Sequence, residues 1–382
     1  GTAYAQEWRE MVNTTTSLSV TGITSIGSFG SNNVYAVGEF RDENNNAFVA
    51  YWNGLSWSAL GSTKGNYNNL TAIYVDRNGK VYLGGDFFKY VNGKYFGNFL
   101  NVWDGRTWEK LGGDNALHGK VRAVAITGDS EFNIYVGGYA EGSHVRNAIH
   151  MWDGVRFQEL HGVDSFYPNG AVYSLAIDRR DNLYAVGNFR DSTNNYYVAK
   201  WDGNTWSNLG GFKGNGTIWN VATFGNKVYI CGEFKNSNGR PYVAVWDGSK
   251  WSELDGSSGD SFNHQIRTMS TDKYGNVYVG GRFRNLKGNI YLAKWDGNEW
   301  TELGGENSMS QVSKMLGNSI IYEVHCDNVG NVYVGGHLVN DSLEMIVLKY
   351  SGDHMGDQIL GLKEMTISPN PSELVLSENV KE

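Results

Sequence analysis

Two cysteines and four prolines are all that 382 residues contain of either type. Cys231 and Cys326 fall in different repeat units, so a disulfide framework is not available, and both read as small buried hydrophobes. So little proline, with sparse charge and abundant glycine, argues against a disordered or coiled-coil chain. Charge is also sparse: Asp, Glu, Lys and Arg make up 19% of the residues, against about 25% in ordinary domains. The balance is acidic, −8 at neutral pH, which removes the attraction to phosphate backbones that nucleic-acid binding rests on. No nucleic-acid partner is expected. No run comes near the roughly 18 apolar residues of a membrane helix, and helical periodicity is missing throughout.

The abundant residues are glycine, 50 in number, and the aromatics, which reach 14% and include 13 Trp and 23 Tyr. They recur in a pattern. Trp-Asp-Gly stands at Trp103, Trp152, Trp201, Trp246 and Trp295, with the variants Trp52-Asn53-Gly54 and Tyr350-Ser351-Gly352 at the two ends. That makes seven units, 45 to 55 residues apart. The period exceeds that of helical arrays, about 34 residues, and matches four short strands per unit. The second strand is the plainest, as in Val81-Tyr82-Leu83-Gly84-Gly85 or Val332-Tyr333-Val334-Gly335-Gly336. A shorter run such as Leu70 to Val75 precedes it across a turn of the type Asp76-Arg77-Asn78-Gly79, whose chemistry suits a hairpin. The third strand runs into Trp-Asp-Gly, and the fourth has the form Trp-x-x-Leu.

The fourth strand shows how the chain closes. Trp57, Trp108, Phe157, Trp206, Trp251 and Trp300 each have Leu three residues on, giving six copies for seven units. The missing copy is at the other end, where Glu7-Trp8-Arg9-Glu10-Met11 matches Glu299-Trp300-Thr301-Glu302-Leu303. The expectation is an all-β, seven-bladed propeller of four-stranded antiparallel blades over residues 7–352, closed by the N-terminal strand pairing into the last blade.

These repeats resemble the seven-bladed β-propellers. They are similar to WD40 repeats in ending the third strand on Trp-Asp, without the Gly-His that precedes it there. They are similar to kelch repeats in the Gly-Gly doublet followed by Trp. The resemblance points to the divergent secreted propellers of Bacteroidota. Ala3-Tyr4-Ala5 fits a signal-peptidase site, so residues 1–6 read as a leader remnant or a disordered end. Residues 353–382 read as a tail or linker, in which Thr366-Ile367-Ser368-Pro369-Asn370-Pro371-Ser372 resembles the opening of a type IX secretion sorting domain. The resemblance therefore implies a secreted or cell-surface protein.

In such a scaffold the loops into the first strand and those between the second and third emerge on one face, where length and composition vary. The longer ones here are Leu254 to Gln265, Gly304 to Ser319, His161 to Gly170 and Phe88 to Asn98. Two rings of unlike residues are expected at that mouth. At the start of the first strands stand Thr21, Thr71, Arg122, Tyr173, Trp219, Arg267 and Tyr322. At the ends of the second strands stand Glu39, Asp86, Tyr139, Asn188, Glu233, Arg282 and His337. Flat apolar faces beside directed donors and acceptors suit a sugar or a peptide loop. Twelve of the Trp occupy repeat positions and read as blade anchors; Trp219 alone departs from the repeat.

Catalytic signals are thin. Glu39 and Asp86 occupy equivalent places in adjacent blades and would form a carboxylate pair of glycosidase type if close enough, with Glu233 and His337 as further acid–base candidates. No His-x-x-x-His cluster supports zinc, no Gly-x-Ser-x-Gly marks a nucleophile, and the glycine-rich segments lack the following helix of a phosphate loop. No cofactor and no metal is expected. Asp76, Asp178, Asp272 and Asp327 supply one carboxylate per turn, too few for calcium, and read as hairpin caps. The Asn-x-Ser/Thr sequences at Asn13, Asn69, Asn215 and Asn340 are what chance gives in an Asn-rich chain. The leading expectation is a secreted or cell-surface binding or adhesion propeller that takes a glycan or a protein partner at its variable face. Its rivals are a carbohydrate-active enzyme using the mouth carboxylates and a structural subunit of a larger surface assembly.

Overall fold

The computed structural model describes residues 9–13, 22–38, 41, 47–62, 67–91, 94–97, 100–113, 117, 119–127, 133–138, 149–160, 166, 168–255, 262–305, 309, 312, 319–338 and 345–351. The leader and tail expected at 1–6 and 353–382 lie outside them. The strands form seven sheets in which neighbours in sequence are neighbours in space. Blade 5, for example, runs Ile218–Phe224, Lys227–Gly232, Ala244–Trp246 and Trp251–Glu253. The first strands of blades 1 to 7 are Ile23–Phe29, Tyr67–Val75, Val121–Ile126, Ala171–Ile177, Ile218–Phe224, Ile266–Thr271 and Ile320–Cys326. Each touches the first strand before and after it, and the seventh touches the first, so they surround a central axis. A 3₁₀ turn at Leu209–Gly211 is the one helical element among the described residues.

The fourth strand of the last blade is Arg9–Asn13, antiparallel to Met345–Tyr350, as the repeat count requires. Its register carries the sequence match to the residue. Arg9 faces Lys349 and Glu10 faces Leu348, just as Thr301 faces Lys294 and Glu302 faces Ala293 in blade 6. Blade 2 departs from expectation: the stretch taken as a long loop, Phe88 to Asn98, instead extends the second strand to Val91 and folds back as Lys94–Gly97.

The repeat residues build the blades by a small set of contacts. The five-residue spacing of the Trp pairs brackets an Asp-Gly turn, so Trp103 stands directly opposite Trp108, with ring centroids 5.2 Å apart. The outer Trp then reaches across to the previous blade. Trp108, Trp206, Trp251 and Trp300 donate their indole N–H to the carbonyls of Leu60, Leu160, Leu209 and Leu254, at 3.0, 3.4, 2.7 and 2.7 Å. These are the anchors that the sequence pattern implied. The Asp turns are caps: Asp272 accepts from the backbone N–H of Tyr274 and Asn276 through one oxygen, and from Asn276 Nδ2 and Tyr278 Oη through the other. Asp178 and Asp327 are bound in the same way. Both cysteines are free thiols.

Among the described outer tryptophans Trp57 is the exception, because its buried Nε1 has no acceptor. The blade before it is the one closed by the N-terminal strand. Replacing Trp251 by Phe is therefore expected to cost about 1 kcal/mol more in urea denaturation than replacing Trp57 by Phe, the difference being one hydrogen bond. Equal losses would contradict the assignment. Deleting residues 1–13 exposes Met345–Tyr350 as a bare edge, and the chain is expected to aggregate or lose its single unfolding transition in calorimetry. Unchanged melting would refute the closure.

Candidate functional site

Every first strand breaks register with the second at one equivalent place. The breaks fall between Ile23 and Ser25, Leu70 and Ala72, Val121 and Ala123, Val172 and Ser174, Ile218 and Asn220, Ile266 and Thr268, and Ile321 and Glu323. Each break is a β-bulge, which re-aims the side chain of the extra residue. The glycines of the second strand make room for it. A Cβ on Gly138 would collide with the carbonyl of Lys120 at the blade 3 bulge, and one on Gly137 would lie 2.7 Å from Val172 of the next blade. The extra residues are Thr24, Thr71, Arg122, Tyr173, Trp219, Arg267 and Tyr322. Six of these are the first ring read from the sequence. In blade 1 the position belongs to Thr24 and not to Thr21, which lies outside the described residues. The signal that identifies it is Ile23, the apolar residue that faces Gly38 as Ile266 faces Gly281.

The seven side chains fall into two groups. Thr24 Oγ1 donates to the Leu70 carbonyl at 3.2 Å, and Thr71 Oγ1 to the Val121 carbonyl at 2.5 Å, so two threonines clasp blades 1 to 3. From blade 3 onward the contacts are stacks. The Arg122 guanidinium lies 5.1 Å from the Tyr173 ring centre. Tyr173 and Trp219 are stacked at 4.7 Å and 23°. Arg267 lies 3.5 Å from the Trp219 ring and 5.8 Å from Tyr322. Five consecutive blades thus carry a ladder of two guanidinium groups and three aromatic rings at the bulges of their first strands. All five residues are half-buried. Burial, then the nearby Arg122, pushes the Arg267 guanidinium below its usual range, against smaller opposing contributions from Tyr322, Tyr173 and Glu233.

The second ring is less uniform. Asp86 is buried and paired with Lys120 Nζ of the next blade at 2.8 Å. Glu233 is exposed; with the Gln265 amide turned so that both neighbours are satisfied, its nitrogen donates to Glu233 Oε1 at 2.9 Å and its oxygen accepts from Arg282 Nε at 3.3 Å. Lys120 and Gln265 occupy the same repeat position, two residues before the bulge, and the sequence reading passed over both. Asn188 is exposed; Arg282 and His337 are half-buried. Glu39 and Tyr139 lie outside the described residues, and with Glu39 the carboxylate pair to Asp86. Among the described residues no cluster of three metal-ligating groups occurs. Asn215, within one glycosylation-like sequence, is committed to the Lys235 backbone through both side-chain atoms, at 3.0 and 2.8 Å.

Below the ladder, side chains of one inner strand satisfy the open backbone edge of the next. Ser25, Ser174 and Thr268 accept from the N–H groups of Ile73, Val221 and Val324 at 3.2, 3.3 and 3.2 Å. At the closing seam the same position is Glu323, which accepts from the Ile26 N–H, and two residues on His325 Nε2 meets Ser28 Oγ at 2.8 Å. Burial raises the Glu323 carboxyl to about 8 and lowers His325 to about 4, the latter against the field of Asp327. Sequence patterning gave no hint of either group.

Comparison with known proteins supports the fold. No family profile matches this sequence, and no curated protein matches it. Among solved structures, YCF48 bound to D1 peptide superposes with a TM-score of 0.59 at 15% identity, covering 92% of this chain and 97% of that one. The WD40 β-propeller domain of Doa1 gives 0.56 at 12%, covering 91% and 97%. The extracellular domain of a hybrid two-component system from B. thetaiotaomicron gives 0.57 at 14%, and this chain spans 39% of its length. Among the described residues no helix is long and apolar enough to cross a membrane.

The closing seam gives stability a sign with pH. The folded chain holds the Glu323 proton up to about pH 8, whereas an unfolded Glu releases it near 4.3, so stability falls as pH rises through that window. His325, neutral when folded, has the opposite slope, confined to the interval from about 4 to its ordinary value of 6.5. Above 6.5 only Glu323 contributes. Unfolding free energy is expected to fall by about 1.6 kcal/mol between pH 6.5 and 8, and Glu323→Gln to flatten that change. Parallel curves for the two proteins in chemical denaturation would rule it out.

Proposed function

We propose that the chain is a secreted or cell-surface binding propeller that recognises an extended segment of a partner protein at the mouth lined by the ladder. The observation that carries this reading is the ring of seven bulges, which sets unlike side chains at equivalent places around the first strands and brings five of them into contact. Rings and guanidinium groups side by side offer a peptide both apolar contact and donors. A peptide fits better than a sugar, because Trp219 stands between Tyr173 and Arg267 and its faces are already stacked. The peptide-bound YCF48 and the extracellular B. thetaiotaomicron domain, similar in fold, support a binding role and a site outside the cell.

The test is to pan an unbiased peptide-display library against the full chain and measure the selected peptides by calorimetry. Trp219→Ala with Arg267→Ala is expected to weaken them at least ~30-fold, about 2 kcal/mol as for a hot-spot pair. Tyr274→Ala, an exposed residue on a hairpin turn at the far end of the first strands, serves as the control and should leave affinity unchanged. The ladder residues are half-buried, so some loss of melting temperature accompanies the double variant. No enriched peptide, or affinity indifferent to the ladder, would defeat the proposal.

A further inference from the structure

We propose that the hairpin arm of blade 2 takes a stretch of the partner protein as an added β-strand, and that this stretch is acidic. The inference rests on reading the mouth face as a peptide site and supplies a way in which the segment is held. In blade 2 the second strand does not stop at Gly85, which faces Leu70 at the bulge, but runs on from Asp86 to Val91. At about 3.3 Å per residue, that carries the chain roughly 20 Å beyond the bulge. Lys94–Gly97 returns antiparallel to it, pairing from Phe88 with Gly97 to Val91 with Lys94. Blades 1, 4, 5 and 6 close the same connection with a single bridge, as between Arg190 and Tyr196. The third strand of blade 2, Leu100–Trp103, meets the second only from Val81 to Gly84. Among the described residues the arm is therefore two strands wide, with a backbone edge on each side. A two-stranded hairpin is marginally stable in water, and its edges present N–H and C=O groups at the spacing that a third strand completes.

Charge decides what that third strand is. From Phe87 to Trp103 the sequence holds Lys89 and Lys94 and no acidic residue, in a chain whose net charge is −8. A second copy of the arm would bring its own lysines against these two, and like charges on neighbouring strands repel. An extended segment with Glu or Asp brings the opposite charge. The edges are thus guarded against self-association and open to an acidic strand. The other arm residues are largely aromatic, Phe88, Tyr90, Tyr95 and Phe96, types that pair well with β-branched residues on a neighbouring strand.

The probe is the peptide acetyl-Glu-Val-Glu-Val-Glu-Val-amide, with its Lys-for-Glu twin, measured by calorimetry against the full chain. The acidic peptide is expected to bind saturably and the twin not to bind. Methyl groups on alternate backbone nitrogens should abolish binding in one phase of the alternation and spare it in the other, because an added strand pairs through one edge only. Replacing residues 88 to 98 by 190 to 196, the short connection of blade 4, should weaken the peptide at least ~10-fold. Lys89→Glu with Lys94→Glu should exchange the preference between the two peptides, and serves as the test if the graft perturbs folding. Failure of the acidic peptide to bind, equal affinities of the two methylated forms, or affinity unchanged in a folded graft would overturn the inference. If display-selected peptides need the ladder but bind the graft undiminished, the strand addition alone falls. If the acidic peptide needs the arm while no selected peptide needs the ladder, the ladder reading falls instead.

Discussion

The bulge ring depends on one steric fact: the second strand of each blade carries a glycine opposite the place where the first strand holds an extra residue. With no Cβ at Gly38, Gly138, Gly187, Gly232, Gly281 or Gly336, the carbonyl of the bulging strand can approach the second strand's backbone. The bulge then follows in every blade, and with it a side chain turned out of the regular alternation. The repeat is thus rigid in its backbone and free in what it displays. Threonine at two positions binds the next blade's backbone, whereas Arg, Tyr and Trp at the other five find one another. One geometric device yields a clasp on one side of the ring and a stacked ladder on the other.

A propeller also has to satisfy the inner edge of every blade, since each first strand has one side without a partner strand. Here hydroxyl side chains do much of that. Ser25, Ser174 and Thr268 accept the next strand's N–H, while Thr223 and Thr271 donate to the carbonyls of Ile177 and Thr223 at 2.8 and 3.1 Å. Glu323 and His325 take over at the seam where the chain's two ends meet. The junction that depends on a terminal strand is therefore also the one whose inner contacts titrate, and the buried indole of Trp57 sits on its outer side without an acceptor. Weakness and closure coincide in this molecule.

How much of this the sequence disclosed follows from what repeats and what does not. The Trp-Asp-Gly spacing, the Gly-ended second strand and the displaced Trp-x-x-Leu copy were enough for the blade count, the strand order and the closing register, because each recurs under the same steric demand. Six bulge residues were legible for the same reason. Thr24 was missed because Val20-Thr21 and Ile23-Thr24 both place a threonine after an apolar residue, so alignment by spacing slipped by three residues. The ladder itself was invisible: that Tyr173 stacks on Trp219 and Arg267 covers it depends on bulge geometry in three different blades, which no local pattern encodes. Lys120 and Gln265 were overlooked because their partners, Asp86 and Glu233, belong to the preceding unit. The hairpin at Lys94–Gly97 was taken for a loop because its sequence departs from the repeat, although blades 1, 4, 5 and 6 close the same connection with a single antiparallel bridge, as between Arg190 and Tyr196.

The account turns on the stacked ladder being a physical unit and not a chance adjacency of side chains. A double-mutant cycle between Trp219 and Arg267, with Trp219→Leu and Arg267→Met singly and together, measures their coupling by chemical denaturation. A coupling of about 1 kcal/mol, as for a desolvated cation–π contact, is the predicted result. Additive losses within error would mean that the two side chains do not support one another, and the mouth described here would not exist as a built site.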